Sequence, residues 1–313
     1  MRYRDQLPQL DSDLFLTDGG IETVLIFHEG LDLPAFAAFD LLKDEAGTAA
    51  LRKYYEPYAA IAREHGVGFV AEAPTWRASP RWASELGYTE GQLDAFNRRA
   101  ISLMEDVRAA HETERSPVVI SGCIGPSDDG YNPAELLTAE AAEAYHATQI
   151  GTFAATAADM VTAITMTYAE EAIGVTRAAM AHGLPVAISF TLETDGRLPS
   201  GEALGDAIEQ VDDETGAGPA YYMINCAHPT HFEAVLSGEP WLERIRGLRA
   251  NASTRSHAEL DEATELDEGD PFDLGARYAA LASKLPRLSV LGGCCGTDHR
   301  HIGAIAGAWP VRA

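Results

Sequence analysis

The stretch LSVLGGCCGTDHRH, Leu288 to His301, reads as one strand–turn–helix unit. A short apolar run ends in Gly292 and Gly293, turns through Cys294, Cys295 and Gly296, and enters a helical pattern over 298–308. The same grammar recurs along the chain. β-rich runs at 14–20, 68–76, 118–126, 159–167, 185–193, 220–228, 245–253 and 288–296 alternate with Ala- and Glu-rich amphipathic stretches. The helical patterns lie near 44–65, 90–114, 138–157, 169–182, 201–215, 231–246, 272–284 and 298–308. Eight strand–helix pairs predict an α/β fold, a (β/α)8 TIM barrel, as a single domain over 1–313. The rival is an open doubly wound sheet, which wants a Gly-rich phosphate turn after the first strand. DGGIET (18–23) lacks the G-x-G-x-x-G spacing, and G-x-x-x-x-G-K is absent from the sequence.

Composition narrows the function classes. A formal net charge of −25 disfavours nucleic acid and anionic membranes, which reward Lys and Arg. No apolar run reaches the roughly 20 residues of a membrane span, and MRYRDQLPQLDSD (1–13) has no signal-peptide core. These features read as a soluble, cytoplasmic protein with small-molecule partners. The polar, acidic stretch 253–271 reads as a solvated loop or surface helix after the seventh strand.

Four cysteines are too few for a disulfide scaffold of this length. Cys226 ends the sixth strand run, in MINCAHP, while Cys294 and Cys295 end the eighth. Barrel enzymes carry their chemistry at the C-terminal strand ends, so the three thiols can converge on a metal and leave one position open. Neighbouring strand residues point to opposite faces, so the backbone must bend there, and Gly292, Gly293 and Gly296 permit it. Spacing alone leaves buried free thiols or a vicinal disulfide as alternatives. Cys123 reads as a small packing or site-wall residue. His228, two residues after Cys226, is either a further ligand or a satisfied strand-end histidine, and His299 or His301 orients the last helix.

VLGGCCGT (290–297), INC (224–226) and TDGGIET (17–23), together with ISGCIGP, YHATQI and GRLPSGEAL, resemble the homocysteine S-methyltransferase family from about residue 14 to 308. The resemblance implies a (β/α)8 barrel with Zn2+ held by Cys226, Cys294 and Cys295. It implies S-methyl transfer to a thiol such as homocysteine, in methionine biosynthesis, with no protein nucleophile. It also implies that Asp18, Gly19 and Gly20 hold the amino-acid end of the thiol, with Asn225 as a further substrate-binding residue. The sequence does not name the methyl donor; a small diffusible onium compound (S-methylmethionine, S-adenosylmethionine or a betaine-like molecule) is the simpler choice, with a corrinoid partner protein as the alternative. A homo-oligomer is compatible with all of this.

Two strand ends depart from the family pattern. Ile164 stands where the family has a Glu that binds the substrate ammonium, and APTW (73–76) replaces its polar TNT. An ammonium facing Ile164 forgoes a charged partner worth about 1.5–3 kcal/mol. Glu22 or Glu72 can compensate, or the acceptor is a thiol other than homocysteine. Trp76 offers an aromatic face to an onium methyl donor, and Arg77 beside it suits an acidic substrate. The loss of Glu also admits a non-catalytic zinc- or thiol-binding barrel. A zinc hydrolase is disfavoured, since it would want His and carboxylate ligands beside a general base.

Overall fold

The computed structural model describes residues 1–11, 14–131, 134–263 and 265–310. The first strand, β1 (Phe15–Leu16), is only two residues long, yet it pairs on both sides. Phe15 registers with Gly68 of β2 (Gly68–Glu72) and with Val290 of β8 (Val290–Gly293), which closes the sheet. Between them run β3 (Val118–Ile124), β4 (Met160–Met166), β5 (Val186–Thr191), β6 (Tyr221–Asn225) and β7 (Ile245–Ala250), all parallel and in sequence order. The result is the closed (β/α)8 barrel that the alternating pattern predicts.

The main outer helices are α1 (Glu45–His65), α2 (Glu90–His111), α3 (Ala139–Ala154), α4 (Ala169–Ala181), α5 (Leu204–Thr215), α6 (Pro271–Leu281) and α7 (His299–Ala308). Their starts are chemically marked. Asp44, Thr89, Thr138, Asp270 and Asp298 each accept a hydrogen bond from a first-turn amide, which satisfies donors the helix itself cannot. No helix among the described residues is long and apolar enough to cross a membrane.

One expected helix is missing. The pattern over 231–246 predicts a helix after the sixth strand, but the chain makes a short one at Pro229–Phe232 and a 3-10 turn at Pro240–Arg244. Gly238 adopts φ +85, and Pro240 bars its predecessor from helical geometry, so the apolar periodicity is overridden. The acidic stretch is loop with a short helix at His257–Asp261, as its composition suggests.

Side chains alternate across each strand, so the barrel interior is layered. Phe15, Val70, Val119, Met160, Ala187, Tyr221 and Val290 form an apolar lower layer, sealed by Leu7 from the N-terminal segment. Two residues further along the strands the interior becomes polar: Glu72, Ser121, Thr162 and Ser189 are all buried. The outward face packs the helices, sometimes without room for a β-carbon. At Gly122 an added Cβ would stand 2.5 Å from the Phe153 ring of α3. Gly122→Ala should therefore cost about 1–3 kcal/mol by overpacking. Urea denaturation should show a lower midpoint with unchanged slope, and Phe153→Leu in the same background should recover part of the loss.

Candidate metal centre and active site

Cys226 is the first residue beyond β6, and Cys294 and Cys295 follow β8 directly. The strand between them, β7, holds all three. The Arg249 carbonyl accepts the Cys226 amide at 3.0 Å, and the Ala250 carbonyl accepts the Cys294 amide at 2.9 Å. The Asn251 side-chain amide donates to the Cys226 carbonyl at 2.9 Å, and the Ala252 amide donates to the Cys295 carbonyl at 3.0 Å. Cys226 turns out of its strand with φ +52, an uncommon conformation for a non-glycine residue, and so joins the other two.

The three sulfurs lie within 4.8 Å of one another. Cys226 and Cys294 are 5.4 Å apart at Cα with their sulfurs in direct contact, a spacing open to a disulfide as well as to shared ligation. Three clustered thiols at a barrel mouth fit a tetrahedral ion with one position left for a substrate. Cys123 is buried on the barrel wall and is not part of the cluster; burial, with Glu72 adding, pushes its thiol well above the ordinary value. His228 caps the helix at Pro229–Phe232 through the Thr230 amide and lies outside the cluster. Burial lowers its ring to about 4, so it stays neutral at physiological pH. His301, buried at the start of α7, shares a capping box with Asp298 and so orients that helix.

The Gly292–Gly293 pair serves close packing rather than unusual φ. A β-carbon there would collide with the side chains of Thr17 and Thr297. Only Gly296 takes a left-handed φ, +78. The same turn rests on the Asp18-Gly19-Gly20 segment. A Cβ on Gly20 would meet the Cys294 carbonyl at 2.6 Å, and one on Gly19 the Thr297 carbonyl at 2.9 Å. The Gly20 amide donates to the Thr297 carbonyl at 3.0 Å.

Asp18 is buried and already engaged. Its carboxylate takes Arg249 at 2.8 Å on one oxygen and the Tyr54 hydroxyl at 2.8 Å on the other. Arg249 also donates to Thr17 Oγ1 and the Gly19 carbonyl. Burial works against this guanidinium, but Asp18 and Glu72 outweigh it and hold its pKa above the ordinary value. Glu72 and Glu22 are both pushed up to about 7 by burial, with Arg249 opposing in each case. Glu22 is partly exposed, whereas Asp18 is buried.

At the end of β4 the register with β5 slips between Ala163 and Met166, and Thr165 takes φ +67. This bulge brings Thr165, rather than Ile164, toward the thiols, with its Oγ1 4.0 Å from the Cys226 sulfur. Asn225 braces the bulge: its Oδ1 accepts the Thr165 amide at 3.0 Å and the Ser189 hydroxyl at 2.6 Å, and its Nδ2 donates to Thr165 Oγ1 at 3.0 Å. Ile164 is buried, and its carbonyl accepts the Trp76 indole at 3.2 Å. Above the cluster the Tyr131 hydroxyl approaches the Cys226 sulfur at 3.3 Å and the Cys295 sulfur at 3.6 Å, while its ring stacks on His257 at 4.3 Å. Sequence reasoning missed Arg249, Tyr131 and Thr165. The arginine had left a signal, a charge inside the strand run IRGLRANAS, whereas the other two depend on loop geometry.

The chain is an eight-stranded barrel with three cysteines clustered at its mouth and a glycine turn packed against them. The family described as Homocysteine S-methyltransferase matches residues 15–309, and the chain belongs to that family. It is by class an S-methyltransferase. Crystal structures of the homocysteine methyltransferase MmuM from Escherichia coli share its fold. The oxidized form superposes with a TM-score of 0.74 at 19% identity, covering 96% of this chain and 99% of that one. The metallated form gives 0.71 at 17%, covering 95% and 96%, and the apo form 0.66 at 18%, covering 98% and 100%. No curated protein sequence matches the chain.

Glu72 sets a pH test of this interior. Its folded pKa of about 7 lies above its reference value of 4.5. As pH rises from about 4.5 to about 7, the unfolded chain releases this proton first, so stability is lost through that window and stays lost above it. Glu72→Gln escapes the loss. Its stability relative to the parent should rise between pH 4.5 and 8, on the order of 1–3 kcal/mol, in paired urea titrations.

Proposed function

We propose that the chain moves a methyl group from a small onium donor to a thiol, the new sulfur–carbon bond forming as the carbon–onium bond breaks. Zn2+ is the metal proposed for Cys226, Cys294 and Cys295. The observation that carries the reading is the convergence of these three sulfurs within 4.8 Å at the mouth of a barrel of this family. Zinc held by these cysteines would supply Lewis acidity that favours the thiolate form of a substrate thiol. The remaining roles fall to the protein. Tyr131 covers the cluster from the loop after β3. Thr165 walls it from β4, fixed there by Asn225. Asp18 and Arg249 neutralise each other and stiffen the Gly19–Gly20 turn on which Cys294 rests.

The amino group of an acceptor such as homocysteine then needs another partner. Asp18 is committed to Arg249 and Tyr54, and β4 presents Ile164 and Thr165. Glu22, partly exposed just after the Gly19–Gly20 turn, is the carboxylate to which we assign that role. Because burial sets its pKa at about 7, it binds an ammonium only once ionised. Homocysteine should therefore bind more tightly as pH rises through about 7. Glu22→Gln should raise the KM for homocysteine about tenfold, leave metal content unchanged, and spare thiols that lack an amino group. A variant that treats both kinds of thiol alike would remove Glu22 from the site.

The metal assignment has its own test. Purified protein should carry one zinc per chain, and the triple Cys226→Ser, Cys294→Ser, Cys295→Ser variant should carry none. Chelation should abolish methyl transfer and added zinc should restore it. Full zinc occupancy in the triple variant would overturn the ligand set.

A further inference from the structure

Arg77 lies five residues beyond β2, on the loop that leads away from the barrel mouth. Its guanidinium is half-buried between two indoles, 4.9 Å from the Trp76 ring and 3.8 Å from the Trp82 ring. Its Nε is buried without a hydrogen-bond partner, and among the described residues no carboxylate comes within ion-pair distance of it. In a chain with 48 acidic and 23 basic residues, an enclosed arginine without a carboxylate is unusual. Arg81 makes the contrast: it lies over the same Trp82 ring at 5.4 Å, yet it pairs with Asp128 at 2.5 Å.

The loop that carries this cation reaches the wall of the thiol cluster through Trp76. Trp76 holds the end of β4 through its bond to the Ile164 carbonyl. Gly130 has the Thr165 methyl and the Trp76 ring as neighbours, 3.0 and 3.2 Å from where its Cβ would be. Thr165 in turn is the residue whose hydroxyl stands 4.0 Å from the Cys226 sulfur. Glycine at 125 is also required here, since a Cβ would stand 2.8 Å from the Trp76 indole. The seat of Trp76, and with it that of Arg77, is thus built into the loop after β3. The acidic groups in its field are Asp129, Glu22 and Glu85, with the Tyr131 phenol also near. Asp129 is turned into its own loop, where it accepts the Tyr131 amide at 2.9 Å.

We infer that Arg77 is a specificity-determining residue that binds a carboxylate on one of the two small substrates of this site. This rests on the thiol methyltransferase reading and deepens it by naming a substrate class. The physical argument is one of unmet valence. A guanidinium presents a planar fork that matches a carboxylate, and the flanking indoles hold the fork flat while leaving its donors unspent. The molecule carries a net charge of −25 and repels anions at long range, so retention of an anionic substrate needs a local cation of this kind. The carboxylate can belong to the acceptor thiol or to the methyl donor.

Matched probes separate the two sources. Binding to the zinc-loaded protein is followed by calorimetry and tryptophan fluorescence. The acceptor pair is 3-mercaptopropionate and its uncharged amide; the donor pair is dimethylsulfoniopropionate and trimethylsulfonium. The parent should prefer the carboxylate of at least one pair by about tenfold or more. Arg77→Gln should reduce that preference to less than about twofold while leaving the uncharged probe's affinity and the zinc content unchanged; Arg77→Lys should keep part of it. Loss confined to the acceptor pair assigns Arg77 to the thiol, and loss confined to the donor pair assigns it to the onium compound. An unaltered preference in Arg77→Gln, equal weakening of charged and uncharged probes, or no preference in the parent overturns the inference. Failure of methyl transfer with every combination, alongside Arg77-dependent carboxylate binding, would sink the methyltransferase reading and leave this one standing.

Discussion

The site depends on the backbone of Arg249–Ala252, where β7 ends. The three cysteines sit on two turns that follow different strands, β6 and β8, and neither turn is adjacent in sequence to this segment. Yet the carbonyls of 249 and 250, the amide of 252 and the side chain of Asn251 reach all of them. Backbone hydrogen bonds of this sort must be made somewhere once the strand ends are buried, because an unpaired buried amide or carbonyl costs as much as a lost bond. Here the obligation is met in a way that also gathers the sulfurs. The thiol cluster is therefore a by-product of barrel pairing carried just past the sheet, and it needs no loop of its own.

The same segment supplies Arg249, whose side chain faces inward and pairs with Asp18. A buried pair of this kind is weak evidence for net stability, since desolvation of both charges offsets their attraction. Its value lies in placement. Asp18 begins the glycine turn on which the Cys294 carbonyl rests, so the arginine connects β7 to β1 from inside while the cysteines connect β6 to β8 above. The apolar lower layer and the polar upper layer divide the labour: one closes the barrel against water, the other points its functional groups toward the mouth.

How much of this was legible in the sequence varies with the kind of interaction. The eight β/α alternations were readable because periodicity is local, and the strand ends carrying Cys226, Cys294 and Cys295 followed from that count. The helix expected over 231–246 was not, because apolar spacing there competes with Gly238 and Pro240, and the breakers win. Gly292 and Gly293 were read as hinges, but their smallness answers to Thr17 and Thr297, contacts that no local pattern reveals. Likewise the slip at the end of β4 is a matter of register with β5. Strict alignment points to Ile164, and the bulge presents Thr165 instead.

The meeting of the Gly19–Gly20 turn with the Cys294–Thr297 turn has a kinetic meaning. The bond from Gly20 to Thr297 spans 277 residues, so it cannot form until the first and last β/α units find each other. Closing so long a span is entropically costly and topologically late. An intermediate in which β2 to β8 have docked can already gather the three thiols around β7, yet without β1 it lacks the Gly19–Gly20 turn and the finished mouth. A complete mouth, with the first turn seated on the last, thus arrives only when the barrel closes.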